Sequence, residues 1–325
     1  MHLGREGIES TNGLVSSARR YEPGCVLREG LYRVALTEAN AAQHKETSVS
    51  YPEWATWLNS EDIASSCATG GSLGGLHLSG GCKVVHVPTY LRGLWKACEE
   101  MAAAAGGAAT WSAVKGAEST KMHWSDRLEG FDAVVLAAGA GMFQDTNLLA
   151  DAIGRGFPSD LVRGQSVEVS LSQEASGEPS TFQMPFEAVL CGKYIAPTPD
   201  NQTVLVGATH EYKAEPLSGV DVAEELRQKA YNLAPNVWDL GKVVKTTSGY
   251  RVQSRRGKYG RTPIIGQWET ENFLHNNMWL FTGLSSRGLI YHGIYGEFLS
   301  DAIMNGDEGP ILEMHPHLSW WRDCL

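Results

Sequence analysis

Asp132-Ala-Val-Val-Leu-Ala-Ala-Gly139 is the clearest structural element in the sequence. A continuous apolar run of this length, closed by glycine, reads as a strand of a parallel sheet covered on both faces. It leads into Gly139-Ala-Gly141, which suggests close backbone approach at the strand's carboxyl end, where open α/β sheets bind ligands. A second strand–turn–helix lies far downstream. Met278-Trp-Leu-Phe-Thr282 reads as a strand, Gly283-Leu-Ser-Ser-Arg-Gly288 as a turn, and a helical pattern follows to Asn305 from about Tyr291. N–H groups at such a helix start, uncrowded by Cβ atoms, can reach a carbonyl or phosphate oxygen. An ordinary tight strand-to-helix turn has the same spacing.

Upstream, Val26 to Leu36 reads as two short strands around Gly30, and residues 37–65 as polar helical turns with a cap at Ser60. Ala68 to Gly81 is glycine-rich and reads as a loop or edge-strand corner. Pro88 opens an amphipathic helix to about Ala105, with Leu91, Leu94, Trp95, Cys98 and Met101 on its apolar face. Ala109–Val114 reads as a strand, with a polar hairpin after it through Lys121–Trp124.

From 160 to 245 the pattern alternates. Gln165–Leu171 and Thr203–Ala208 read as antiparallel strands, with a strand and turn over Gly192–Asn201 between them. A helix follows over about Val222–Leu233, before Pro235, and residues 310–325 read as a tail. The expected class is mixed α/β: a nucleotide-type parallel-sheet domain interrupted by an antiparallel insertion.

Composition bounds the function. The 325 residues are 42% apolar and 20% charged, with 27 Lys and Arg against 37 Asp and Glu, a net charge of −10. An acidic surface repels a phosphate backbone, so nucleic acid is a disfavoured partner unless a local patch such as Arg251–Arg261 serves. The longest apolar run, Phe131–Phe143, is too short and glycine-rich to span a bilayer. Six cysteines without a C-x-x-C pair fit free thiols in a reducing compartment. The first residues carry no apolar signal core, so the default address is cytoplasmic.

Two arginines stand near glycine turns, Arg251 in Ser248-Gly-Tyr-Arg251 and Arg287 in Ser285-Ser-Arg-Gly288. The planar guanidinium fork suits a carboxylate. Arg255, Arg256 and Arg261 read as surface arginines or structural ion pairs. Gly70-Gly-Ser72-Leu-Gly74 has the spacing of a hydrolase nucleophile elbow, but neither flank supplies the required strand and helix. His315-Pro-His317 has no third ligand that would make a metal site.

Five stretches resemble the FAD-dependent D-amino-acid-oxidase-like (DAO) family, especially its glycine-oxidase, sarcosine-oxidase and tRNA methylaminomethyl-uridine oxidase branches. They are Asp132–Ala140, Val162–Gln165, Lys193–Pro197 with Val206–Thr209, Gly249–Arg251 leading to Thr262–Gly266, and Trp279–Gly283 through Arg287–Ile290. The resemblance implies FAD as cofactor. It also implies an FAD-binding domain over 75–160 and 246–310, a substrate domain over 25–74 and 161–245, and a tail over 311–325.

By the same resemblance, Ala137, Ala138 and Gly139 line the flavin domain, and Val114 holds the adenine end. Gly283 and the turn Arg287, Gly288, Leu289 and Ile290 face the flavin pyrimidine. Tyr194, Arg251 and Arg287 grip a substrate carboxylate. The implied reaction oxidises the C–N bond of an amino acid or secondary amine by hydride transfer to flavin, with dioxygen or another electron acceptor closing the cycle.

The family opens with a strand, a G-x-G-x-x-G turn and a helix that hold the FAD pyrophosphate. The roughly two dozen residues before Val26 carry no such pattern, and a βαβ unit needs upwards of about 30. A truncated member is therefore expected. It is either a working oxidoreductase whose site is completed otherwise or a catalytically inactive chain acting through protein interaction.

Overall fold

The computed structural model describes residues 3–67, 69–113, 127–128, 130–143, 149, 152–153, 156–171, 187–212, 215–268 and 277–324. The helices are α1 (Gly4–Tyr21), α2 (Glu38–Ser50), α3 (Ser60–Cys67), α4 (Val87–Ala104), α5 (Gly219–Ala230), α6 (Pro235–Leu240), α7 (Gly288–Asn305) and α8 (Gly309–Met314). The strands are β1 (Val26–Val34), β2 (Ala55–Leu58), β3 (Gly75–Val85), β4 (Val134–Leu136), β5 (Ser159–Ser170), β6 (Val189–Cys191), β7 (Lys193–Pro197), β8 (Thr203–Gly207), β9 (Lys242–Ser254), β10 (Ile264–Gln267) and β11 (Met278–Thr282). The chain divides into two compact units. One contains Met1–Leu14, Ala108–Val162 and Tyr250–Leu325, and the other Val15–Gly107 and Arg163–Gly249. Residues 75–107, expected with the cofactor-binding part, cluster with 163–249 instead.

The first unit contains a three-stranded sheet, β10-β11-β4. β11 pairs with β4 in parallel, Met278 opposite Val134 and Leu280 opposite Leu136. The expected strand at 132–139 thus exists and has a parallel neighbour, but it is three residues long and covered on one side only. Val134 is buried while Val135, pointing to the opposite face, is 42% exposed; β4 is also an edge of this sheet among the described residues. The expected strand at Ala109–Val114 is not formed over 109–113, and Val114 and the hairpin at 121–124 lie outside the described residues.

Two further corrections concern the ends of the chain. Residues 4–21, given no element by the sequence, form the 18-residue helix α1. Its first half packs on α7, where Thr11 Oγ1 donates to the Leu289 carbonyl at 2.6 Å. Residues 310–325 are no loose tail. Trp320 and Trp321 are buried, and their indole N–H groups donate to the carbonyls of Pro263 (3.2 Å) and Ile265 (3.1 Å). Arg322 bonds the Gln267 carbonyl at 2.9 Å and Glu308 at 2.6 Å. Two large aromatic side chains with their polar handles satisfied are a substantial share of a core.

The second unit is built on a sheet in the order β2-β3-β1-β6-β7-β8-β5-β9. Its described pairings are antiparallel except β1 with β6. The alternation read over 165–171 and 203–208 is realised as β5 against β8, with Val167 opposite Val206 and both fully buried. Against this sheet lies the stripe Val222, Leu226 and Ala230 of α5, whose Ser218 cap accepts from the Asp221 N–H at 3.2 Å.

Several local expectations are corrected in this unit. Val26–Val34 is one strand whose register shifts on either side of Glu29, with Gly30 at φ +109°, so the glycine makes a bulge and not a break. The glycine-rich stretch contributes residues 75–81 of β3, an interior strand. A Cβ at Gly75 would stand 2.8 Å from the Arg33 carbonyl, so glycine there permits close strand packing. Asn59, one residue before the expected Ser60, caps α3 by accepting from the Asp62 N–H at 2.9 Å. The buried residues of α4 are Thr89, Tyr90 and Gly93, whereas Leu91, Cys98 and Met101 are exposed. The reason is a close helix crossing: Gly93 sits directly against Ala18 of α1, so the small residue and not the apolar stripe selects the buried face.

Candidate functional site

The parallel pair β4–β11 places two turns at one end of the small sheet. Gly139 and Gly283 each stand three residues beyond the register pair Leu136–Leu280. Both take positive φ, +58° and +69°, a conformation in which glycine carries no steric penalty. Each leads into a 3-10 turn, Gly139–Phe143 and Ser285–Arg287. The second turn runs directly into α7. The N–H groups of Gly288, Leu289 and Ile290 belong to the first turn of that helix, so they have no intrahelical acceptor and carry the positive end of its dipole. A Cβ added at Gly288 would meet nothing within 4 Å, so backbone is approachable there. Thr282, buried one residue before Gly283, has a hydroxyl without a hydrogen-bond partner among the described residues.

The residues expected to line a cofactor are thus gathered at one sheet end, Val114 excepted as undescribed. Ala137 and Ala138 are exposed where β4 ends, Gly139 follows, and Gly283 faces the same end from β11. Arg287 caps the entry to α7 with its side chain exposed.

Arg251 lies on the end of β9, which runs beside this turn. Gln253, two residues on, bridges to Leu284, and the hydroxyls of Ser254 and Ser285 lie 3.4 Å apart. Tyr194 belongs to the other unit. It sits on β7 opposite Gly207, and its hydroxyl shares a 3.0 Å hydrogen bond with Ser166. A Cβ at Gly207 would stand 2.5 Å from the Tyr194 oxygen, so glycine makes room for the tyrosine. Ser72 follows a bend and precedes β3, the reverse of a strand–nucleophile–helix elbow.

Sequence reasoning missed the neighbourhood of Arg287. Arg256, Arg261 and Arg287 line one cavity of about 490 Å³, together with Tyr259, Tyr291 and His317. Arg255 does form the expected ion pair, with Asp160 at 3.4 Å, but Arg256 and Arg261 turn to the cavity. The available signal was the run Ser254-Arg-Arg-Gly-Lys-Tyr-Gly-Arg261, in which a tight Gly257–Gly260 hairpin brings the two arginines to the same side.

Comparison with known proteins agrees with this geometry. A family profile described as FAD dependent oxidoreductase (DAO) matches residues 2–302. The chain belongs to this family, and the family's cofactor is FAD.

The fold is similar to that of glycine oxidase from Geobacillus kaustophilus, at 19% identity and TM-score 0.62, over 93% of this chain and 78% of the other. It is also similar to iminodiacetate oxidase from Chelativorans sp. BNC1, at 17% identity and TM-score 0.66, over 93% and 79%. L-proline dehydrogenase from P. horikoshii matches at 14% identity and TM-score 0.66, over 98% and 83%. No curated protein matches the sequence.

The residues present fit the ring end of FAD: two positive-φ glycines at one level, an open helix start, and, one residue before Gly283, the buried Thr282 hydroxyl, unpartnered among the described residues. A G-x-G-x-x-G phosphate turn does not occur in the 325 residues. Among the described residues no helix is long and apolar enough to cross a membrane.

Proposed function

We propose that the chain oxidises the C–N bond of a small amino acid or secondary amine, and that Arg251 and Arg287 hold the substrate carboxylate. The observation that carries this reading is the pair of glycine turns at the end of β4 and β11, with Arg287 standing at the start of α7. When bound, FAD supplies the two-electron acceptor.

The chain's own residues have three tasks. The N–H groups of Gly288, Leu289 and Ile290, at the positive end of α7, stabilise negative charge developing opposite them. The guanidinium of Arg287 binds a carboxylate through two parallel charge-assisted bonds and fixes the α-carbon in one orientation. Its positive charge also disfavours a protonated amine nearby, which keeps the nitrogen lone pair available. Dioxygen or another small acceptor completes turnover in this proposal.

The test is the visible spectrum of the purified chain after incubation with FAD. Flavin bands near about 375 and 450 nm, bleached anaerobically by an amino acid or amine, are the expected result. A chain that stays colourless under saturating FAD overturns the reading.

One observation favours a second reading, a non-catalytic chain that acts through protein interaction. The described edge of β4 is unpaired and shows Val135 to solvent, an arrangement that invites strand pairing with another chain. That reading expects self-association together with absent flavin.

A further inference from the structure

We infer that the cavity between residues 256–263 and the start of α7 is a seat for an oxyanion, a carboxylate or a phosphate, carried by a small ligand. Three observations bear on it, and none depends on bound flavin.

The first is charge. Arg256, Arg261 and Arg287 line the cavity, and among the described residues no carboxylate lines it. Arg261 donates to the Ser254 carbonyl, and among the described residues none of the three has an acidic partner. Elsewhere the chain pairs its arginines: Arg19 with Glu29, Arg163 with Glu211, Arg227 with Asp239, Arg255 with Asp160 and Arg322 with Glu308. In a protein with ten more acids than bases, three arginines left together without an acid repel one another. A bound anion relieves that repulsion. Guanidinium groups are also the donors best matched to an oxyanion.

The second is shape. A volume of about 490 Å³ suits a small molecule, and the lining beside the arginines is aromatic: Tyr259, Tyr291 and Tyr295. His317 fixes that lining. Its Nε2 lies 3.2 Å from the Tyr295 hydroxyl, and its ring meets Tyr259 edge-on at 6.2 Å. A ligand with an anionic group and a flat or apolar body fits such a lining.

The third is origin. His317 lies beyond the matched family segment, which ends at residue 302. The 257–260 hairpin that positions Arg256 and Arg261 is closed by two backbone bonds, Gly257 N–H to Gly260 at 2.9 Å and the reverse at 3.0 Å. The seat is therefore bounded by the 257–260 hairpin and by the docked C-terminal segment. Arg287 is shared with the proposed substrate grip, but Arg256, Arg261 and His317 are not.

The experiment is calorimetric titration of the full chain with sodium pyrophosphate and, separately, with succinate, at constant ionic strength. Arg256→Gln and Arg256→Glu are titrated in parallel. Arg256 is exposed and bonds no described side chain, so both variants retain the parent's circular dichroism and Tm.

Saturable binding of at least one probe is expected, weakened about tenfold or more by Arg256→Gln and abolished by Arg256→Glu. Preference for pyrophosphate identifies a phosphate-bearing ligand, and preference for succinate a carboxylate-bearing one. Absence of saturable binding by both probes overturns the inference, and so does unchanged affinity in the two variants. Flavin content is not the readout, so failure here is distinct from failure of the proposed oxidation.

Discussion

Gly283 shows how one residue positions the candidate site. Its φ of +69° lets β11 leave the sheet and enter the 285–287 turn, and Ile264 of β10 fills the space a Cβ would need, at 3.1 Å. Gly283→Ala is expected to lower unfolding free energy by about 1–3 kcal/mol, measured by urea titration, because it adds both backbone strain and a contact. Arg287 is tested differently, since its side chain is exposed. In a flavin-loaded enzyme Arg287→Ala is expected to lower kcat/KM for a carboxylate-bearing amine about 10- to 100-fold, mainly through KM, with flavin content unchanged. Equal kinetics for parent and variant remove Arg287 from the substrate grip.

Among the elements, α4 illustrates how packing selects a face. Its apolar stripe points outward in part, and burial follows Gly93, where a Cβ would stand 2.6 Å from the Ala18 carbonyl oxygen. Backbone cannot yield as a side-chain tip does. Gly93→Ala is expected to destabilise the protein by about 1–3 kcal/mol, whereas Met101→Ala, at a 72% exposed position, stays within about 0.5. The C-terminal segment behaves as core. Trp321→Ala removes a fully buried indole and its bond to Ile265, so a loss of about 3–5 kcal/mol is expected by denaturant titration.

For the whole molecule, the pH response follows from the buried His44 and the half-buried His292. Burial, reinforced by the charge of Arg33, holds His44 below its ordinary value of 6.5, and burial lowers His292 in the same direction. Above that value both folded and unfolded chains are neutral at these sites. Below it the unfolded chain takes up protons that the folded chain refuses, so stability falls as pH drops from about 6.5. The expected observation is a falling Tm between about pH 7 and pH 5, with a shallower slope in His44→Asn. An unchanged slope in that variant assigns the acid sensitivity elsewhere.

What the sequence determined by itself was local order with a strong period: the apolar run at 134–136, the alternation in β5 and β8, the stripe of α5, and the strand–glycine–helix at 278–305. These follow from side-chain spacing, which the chain carries without folding. The five ordered stretches were enough to place the chain in its family.

Tertiary structure decided the rest. Gly75 lies in a stretch that reads as a loop or edge-strand corner and Gly93 carries no sequence signal, and only their neighbours show that they permit close packing. Residues 4–21 and 310–325 carry weak patterns because their partners, α7 and β10, lie some 250–300 or about 50 positions away. Arg256 and Arg261 looked like ordinary surface charge. What distinguishes them is the cavity they share with Arg287 and the absence of a described acid beside them, and charge pairing is a property of distances in space that the order of residues does not record.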